Sequence, residues 1–132
     1  RMNPGGRIVN VSSAAGLQGV AYLAPYVASK WAVIGITRTA AVELGDKGIR
    51  VNVICPTSVN TPMANTPEGQ PQLRMEHKAV PLARIAEPEE IAAMIHFLSS
   101  TDCNFINGQA IAVDGGFTAG MSITAYNALA TE

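Results

Sequence analysis

Arg7-Ile8-Val9-Asn10-Val11-Ser12-Ser13, a short β-branched run behind Gly5-Gly6, reads as a strand buried on both faces and ending near Ser13. A second run of the same character, Arg50-Val51-Asn52-Val53-Ile54-Cys55, is broken by Pro56. Between them a glycine- and alanine-rich loop, from Ala14 to Ala24, leads to Pro25, whose fixed φ suits the first turn of a helix. That helix is expected to run to about Leu44, where Gly45 and Gly48 stop it. Strand, long helix and strand make a βαβ unit with parallel strands and a right-handed crossover. Ala28, Ala32, Gly35, Ile36 and Thr39 put small surfaces on neighbouring turns of the helix, which suits close approach by the sheet or by another helix.

Working outward, residues 57–86 scatter Pro62, Pro67, Pro71 and Pro81 among polar residues, and read as an irregular segment with one short helix around Leu73 to Lys78. Glu87-Pro88-Glu89-Glu90 opens a further helix: acidic groups complement the amide-rich N-terminus, and Ile91, Met94, Ile95 and Leu98 form an apolar face. Asn107-Gly108 makes a turn, Gln109 to Val113 a third strand, and Asp114-Gly115-Gly116 ends it. No helix pattern is read after that turn, so its glycines are taken as chain-reversal residues rather than a phosphate cradle.

The 132 residues make one domain at most, and 48% hydrophobic residues supply ample material for a core. Nine basic and ten acidic side chains, spread without runs, give no electrostatic footprint for nucleic acid or an anionic membrane, which leaves a small molecule as the expected partner. No apolar stretch approaches the roughly 18 residues that span a bilayer, and the opening Arg1 to Gly6 lacks the apolar core of a signal peptide, so the expected location is cytoplasmic. Cys55 and Cys103 are isolated; Cys55 reads as a buried reduced thiol. His77 and His96 lie far apart and read as surface or packed helix residues, so no metal site is expected.

Chemistry enters with Tyr26-Val27-Ala28-Ser29-Lys30. Residues four apart share a helix face, so Lys30 can stand behind Tyr26 and bring a positive charge near its phenol. A free tyrosine titrates near ~10, and an adjacent ammonium favours the phenolate, moving the group toward useful proton exchange. Ser13, at a strand's carboxyl end, could hydrogen-bond the same substrate oxygen; such strand ends are where open α/β sheets place their ligand crevice.

A Tyr-x-x-x-Lys spacing alone is weak, but here it follows a strand ending Asn-Val-Ser-Ser and precedes a strand running into Pro56-Thr57-Ser58-Val59-Asn60-Thr61-Pro62-Met63. This succession, with Val113-Asp114-Gly115-Gly116 near the end, resembles the short-chain dehydrogenase/reductase family over nearly the whole chain. The resemblance implies an α/β, Rossmann-like doubly wound parallel sheet, of which only the C-terminal three strands and their helices are present. It implies Ser13 as the serine that binds the substrate oxygen, Tyr26 as general acid/base, and Lys30 as the residue that lowers the tyrosine's pKa and binds the nicotinamide ribose. Tyr26, Lys30, Pro56, Val59 and Thr61 would hold the cofactor, NAD or NADP; Thr57 stands where the family usually has glycine. The segment from Ala64 to Ala86 would be a substrate lid, with Leu73, Met75 and Val80 as candidates to line an apolar pocket.

The family's glycine-rich turn, its dinucleotide-selecting residue and its relay asparagine are not located in this sequence. By the resemblance the first strand is the fifth of roughly seven, leaving Ile8 to Val11 as an uncovered apolar edge. With Arg1 at its start, the chain is therefore expected to be the C-terminal catalytic half, residues 1–132, of a single Rossmann-like domain. Two functions are open: the intact enzyme transfers hydride between NAD(P) and a secondary alcohol or ketone, or the chain is a catalytically silent fragment with a structural or assembly role. By resemblance the substrate ranks as steroid-like or alicyclic first, acyl-thioester ketone second, sugar or polyol third. The resemblance also implies a homo-oligomer, dimer or tetramer, whose neighbouring subunit receives the tail Met121 to Glu132.

Overall fold

The computed structural model describes residues 4–131; Arg1 to Asn3 and Glu132, and the expectations placed on them, lie outside the described residues. Three parallel strands, β1 (Arg7–Val11), β2 (Arg50–Pro56) and β3 (Ala110–Val113), stand in the order β1-β2-β3. Ile8 pairs with Val51, and Ile54 with Ile111. Helix α1 (Ala24–Leu44) crosses between β1 and β2; α2 (Gln70–Ala79) and α3 (Pro88–Ser99) follow β2, and α4 (Ile123–Ala130) closes the described chain.

β2 is buried along its whole length, and its alternating side chains feed two layers. Val51, Val53 and Cys55 pack beneath α1 with Ile34 and Ala41, whereas Ile54 packs on the other face with Leu98 of α3 and with Cys103. Helices on both faces of a parallel sheet make the Rossmann-like α/β arrangement expected. Asn52 and Arg50 interrupt the apolar run without an orphaned group. The Asn52 amide donates to the Ile106 carbonyl at 2.9 Å, and the Arg50 guanidinium donates to the Leu98 carbonyl at 2.8 Å.

β1 is a strand, but it ends at Val11 and is half-buried rather than covered on both faces. Among the described residues it pairs only with β2, and Val11 is 48% exposed. The small residues of α1 also face elsewhere than at the sheet. Ile34, Thr37 and Ala41 are buried, while Ala28, Ala32, Gly35, Ile36 and Thr39 are all exposed. Pro25 does sit in the first turn of α1, and Gly48, at φ +69°, ends the short turn after it, a conformation that costs glycine little.

Two helices differ from expectation. α2 begins three residues before Leu73, because Pro71 occupies its first turn instead of breaking the segment. A helix also follows Gly116, where none was read: after one tight turn, Phe117–Ala119, Ser122 caps α4 by accepting from the Ala125 N–H at 3.0 Å. At the start of α3, Glu87 and Glu90 form a reciprocal capping box.

Candidate functional site

The carboxyl ends of β1 and β2, the first turn of α1 and the inner face of α2 enclose a cleft of about 400 Å³. Ser13 follows β1 and turns the chain into a single 3-10 turn, Ala14–Gly16, whose start it caps: its Oγ accepts from the Ala15 N–H at 3.1 Å. The hydroxyl proton remains available to donate into the cleft. Ser12, beside it and buried, donates to the Lys30 carbonyl at 2.8 Å and ties the end of β1 to the first turns of α1. Gly16 lets this contact form, since a Cβ there would stand 2.5 Å from Ser12 Oγ.

Tyr26 lies in the first turn of α1 with its ring at the cleft, and Lys30, one turn on, sets its Nζ 5.5 Å from the ring centroid. Among the described residues the one ion pair is Arg84 with Glu90, so the Lys30 ammonium has no carboxylate partner there. Ser13, Tyr26 and Lys30, read from sequence as one set, therefore meet at the same end of the sheet.

The remaining candidates divide. Pro56 ends β2 and pairs with Val113, and Val59 bridges to Ala86 in parallel. The Thr61 carbonyl accepts from the Ala64 and Asn65 N–H groups, so Thr61 starts a turn. None of these three lines the Ser13–Tyr26 cleft, whereas Thr57 does, and Thr57 also borders the next hollow at the end of β3. Of the lid's apolar candidates only Met75 faces the cleft; Leu73 and Val80 are buried.

Sequence reasoning missed Glu76. It is only 4% exposed, yet lines the cleft, and three donors converge on its carboxylate. The Ser58 N–H and hydroxyl lie at 2.9 and 3.0 Å, and the Gln72 amide at 2.6 Å. The two Ser58 bonds fasten α2 to the segment leaving β2, and the Gln72 bond braces the carboxylate from within the helix. Its signal was present: Glu76 falls one turn after Leu73 on the same helix face, so a carboxylate sits beside an apolar core position. Phe117, which also lines the cleft, was overlooked because the chain after Gly116 was not read as structured.

Around the site, burial pushes the Cys55 thiol up, in keeping with a core thiol. Burial opposes the charge of Asp114, but the hydroxyl and N–H of Thr118 and the N–H of Gly116 outweigh it and hold the carboxyl below its usual range. Asp114 thereby folds the chain over the end of β3 and presents Phe117 to the cleft.

A family model described as enoyl-(acyl carrier protein) reductase matches residues 1–118. A solved short chain dehydrogenase family protein from Francisella tularensis superposes with a TM-score of 0.80 at 34% identity, over 89% of this chain and 53% of that one. The chain belongs to the short-chain dehydrogenase/reductase family. Within it, the chain is 44% identical over 119 residues to the trans-4-hydroxycyclohexanecarboxylate dehydrogenase of Sinomonas cyclohexanicum, covering 90% of this chain and 44% of that enzyme. A 4-hydroxyisoleucine dehydrogenase solved with NADH matches with a TM-score of 0.77 and 37% identity, over 88% of this chain and 48% of that one. The chain thus spans less than half the length of such curated short-chain dehydrogenase/reductase relatives. Among the described residues no helix is long and apolar enough to cross a membrane, and no cluster of three or more metal-ligating side chains occurs.

Proposed function

We propose that the polypeptide carrying this chain is an NAD(P)-dependent oxidoreductase that interconverts a secondary alcohol and its ketone, with a compact alicyclic compound as substrate. The observation that supports it most is the shared cleft: Ser13 and Tyr26 line one cavity, and Lys30 places its ammonium over the Tyr26 ring. Residues 1–132 would be the C-terminal catalytic half of a single Rossmann-like domain, a reading supported by relatives about twice as long.

In ketone reduction the Tyr26 hydroxyl gives its proton to the carbonyl oxygen, and Ser13 donates a hydrogen bond to the same oxygen as negative charge develops there. Ser13 is prepared for this because the Ala15 N–H already occupies one of its lone pairs. In alcohol oxidation the same groups act in reverse, with Tyr26 taking the proton. Lys30 stabilises negative charge on Tyr26 in either direction, and its position follows from the Ser12 bond to its carbonyl.

The donor set fits a nicotinamide dinucleotide. The Lys30 ammonium has no carboxylate partner among the described residues. Thr61 Oγ1 accepts a 3.4 Å contact from the Ala64 N–H, leaving its proton to donate. Both lie toward the carboxyl ends of parallel strands, where such sheets take ligands. Tyr26, Lys30, Pro56, Val59 and Thr61 would hold the nicotinamide end, which supplies or accepts the hydride. We further propose a cytoplasmic homo-oligomer, dimer or tetramer. Two buried free thiols suit a reducing compartment, and exposed Trp31, Ile36 and Val42 on α1, with Ile123, Tyr126 and Leu129 on α4, supply apolar surface for a second copy.

Titrating the purified polypeptide with NADH and NADPH by fluorescence tests the reading. Saturable binding of either dinucleotide is the expected result. No binding of either would favour the silent assembly role instead.

A further inference from the structure

We propose that Glu76 determines which ring substrates the cleft accepts, so that neutral alcohols and ketones with a second hydroxyl are taken and ring carboxylates are turned away. The inference rests on the alcohol–ketone reading above and narrows its substrate class. The cleft is small for a ligand site, near the low end of the roughly 300–1,000 Å³ that such pockets span, which favours a single ring. Most of its wall is apolar, with Ala14, Val20, Leu23, Met75 and Phe117 suited to a hydrocarbon ring. Apart from Ser13 and Tyr26, its polar groups come from Thr57 and from Ser58, Gln72 and Glu76, which hydrogen-bond to one another.

In that cluster the partners of Glu76 are all neutral donors. Its charge is thus hydrogen-bonded but not cancelled by a cation, since the one ion pair among the described residues is Arg84 with Glu90. A carboxylate offers about four acceptor positions, of which three are used, so one remains for a hydroxyl donated by the substrate. An anion entering the same cavity meets repulsion instead. At about 6 Å and an effective dielectric near 20, that repulsion corresponds to roughly a hundredfold weaker binding. The relative named for trans-4-hydroxycyclohexanecarboxylate acts on an anion, so this chain would differ from it in substrate despite 44% identity.

The test compares trans-cyclohexane-1,4-diol with trans-4-hydroxycyclohexanecarboxylate by saturation-transfer NMR on the polypeptide carrying this chain, without requiring turnover. The diol should bind at least tenfold more tightly than the carboxylate. Glu76→Gln should bring the ratio near one, chiefly by strengthening the carboxylate, while Glu76→Asp, which keeps the charge, should preserve the preference. Equal binding of the two compounds by the unmodified protein, binding of neither, or a Glu76→Gln variant that weakens both alike would overturn the proposal. A diol preference without dinucleotide binding would refute the oxidoreductase reading and leave the Glu76 assignment standing.

Discussion

The wall of the cleft that carries Ser13 and Tyr26 and the wall that carries Met75 and Glu76 are held in different ways. The first is continuous with the core: Ser12 bonds the backbone of Lys30, Ile34 packs on Val53 and Cys55, and β1 and β2 share a parallel ladder. The second lies outside the sheet: Ser58 bonds the Glu76 carboxylate, Leu73 and Val80 are buried beside it, and the Ser122 hydroxyl donates to the Lys78 carbonyl. Chemistry needs its groups fixed within fractions of an ångström, and a packed core provides that. Selection among substrates needs only a surface that can be exchanged, and a helix outside the sheet provides that.

The contrast can be broken from either side. Ile54→Ala empties a fully buried site between β2 and α3 and should cost about 4 kcal/mol, read by denaturant unfolding, with both walls lost together. Glu76→Ala strips the Ser58 N–H of its acceptor and should cost about 2 kcal/mol. Hydrogen exchange should then show α2 amides losing protection while those of α1 and β2 keep theirs. Equal loss in α1 would mean that the two walls form one cooperative unit.

A smaller effect is expected on acidification. The hydrogen bonds from Arg84 hold Glu90 down to about 2 from an ordinary 4.5. Its depressed folded value means the contribution is fully present above pH 4.5 and fades as pH falls toward about 2. Asp114, also depressed, loses its contribution in the same direction, with release of the turn that presents Phe117. Carboxyl NMR titration should find Glu90 ionised well below the normal glutamate range; the exposure of the pair keeps its effect on stability slight.

The first wall is the one legible in the sequence. β2 is a β-branched run in the centre of the sheet, and Tyr26 and Lys30 are tied by helix geometry alone, so neither needs knowledge of distant neighbours. Which face α1 turns to the sheet is not legible because apolar residues run all round that helix: Trp31 and Val42 are exposed while Ile34 and Ala41 are buried. No 3.6-residue stripe then distinguishes one face. The second wall is harder to read. The length of α2 depends on Pro71 falling in a first turn, and Glu76 takes its place only through Ser58, 18 residues earlier in the chain. α4 escaped notice because Gly115 and Gly116 look like an ending, whereas Asp114 gathers the backbone beyond them and Ser122 starts a new helix.

The most direct test of the account is Tyr26→Phe in the polypeptide carrying this chain, assayed for dinucleotide-coupled oxidation of a cyclic secondary alcohol. The variant removes only the hydroxyl and leaves the ring beneath Lys30 in place. Turnover should fall by ~10²–10⁴, the usual worth of a positioned proton donor. Undiminished turnover would contradict the assignment of Tyr26 as the acid/base, and with it the central claim about the cleft.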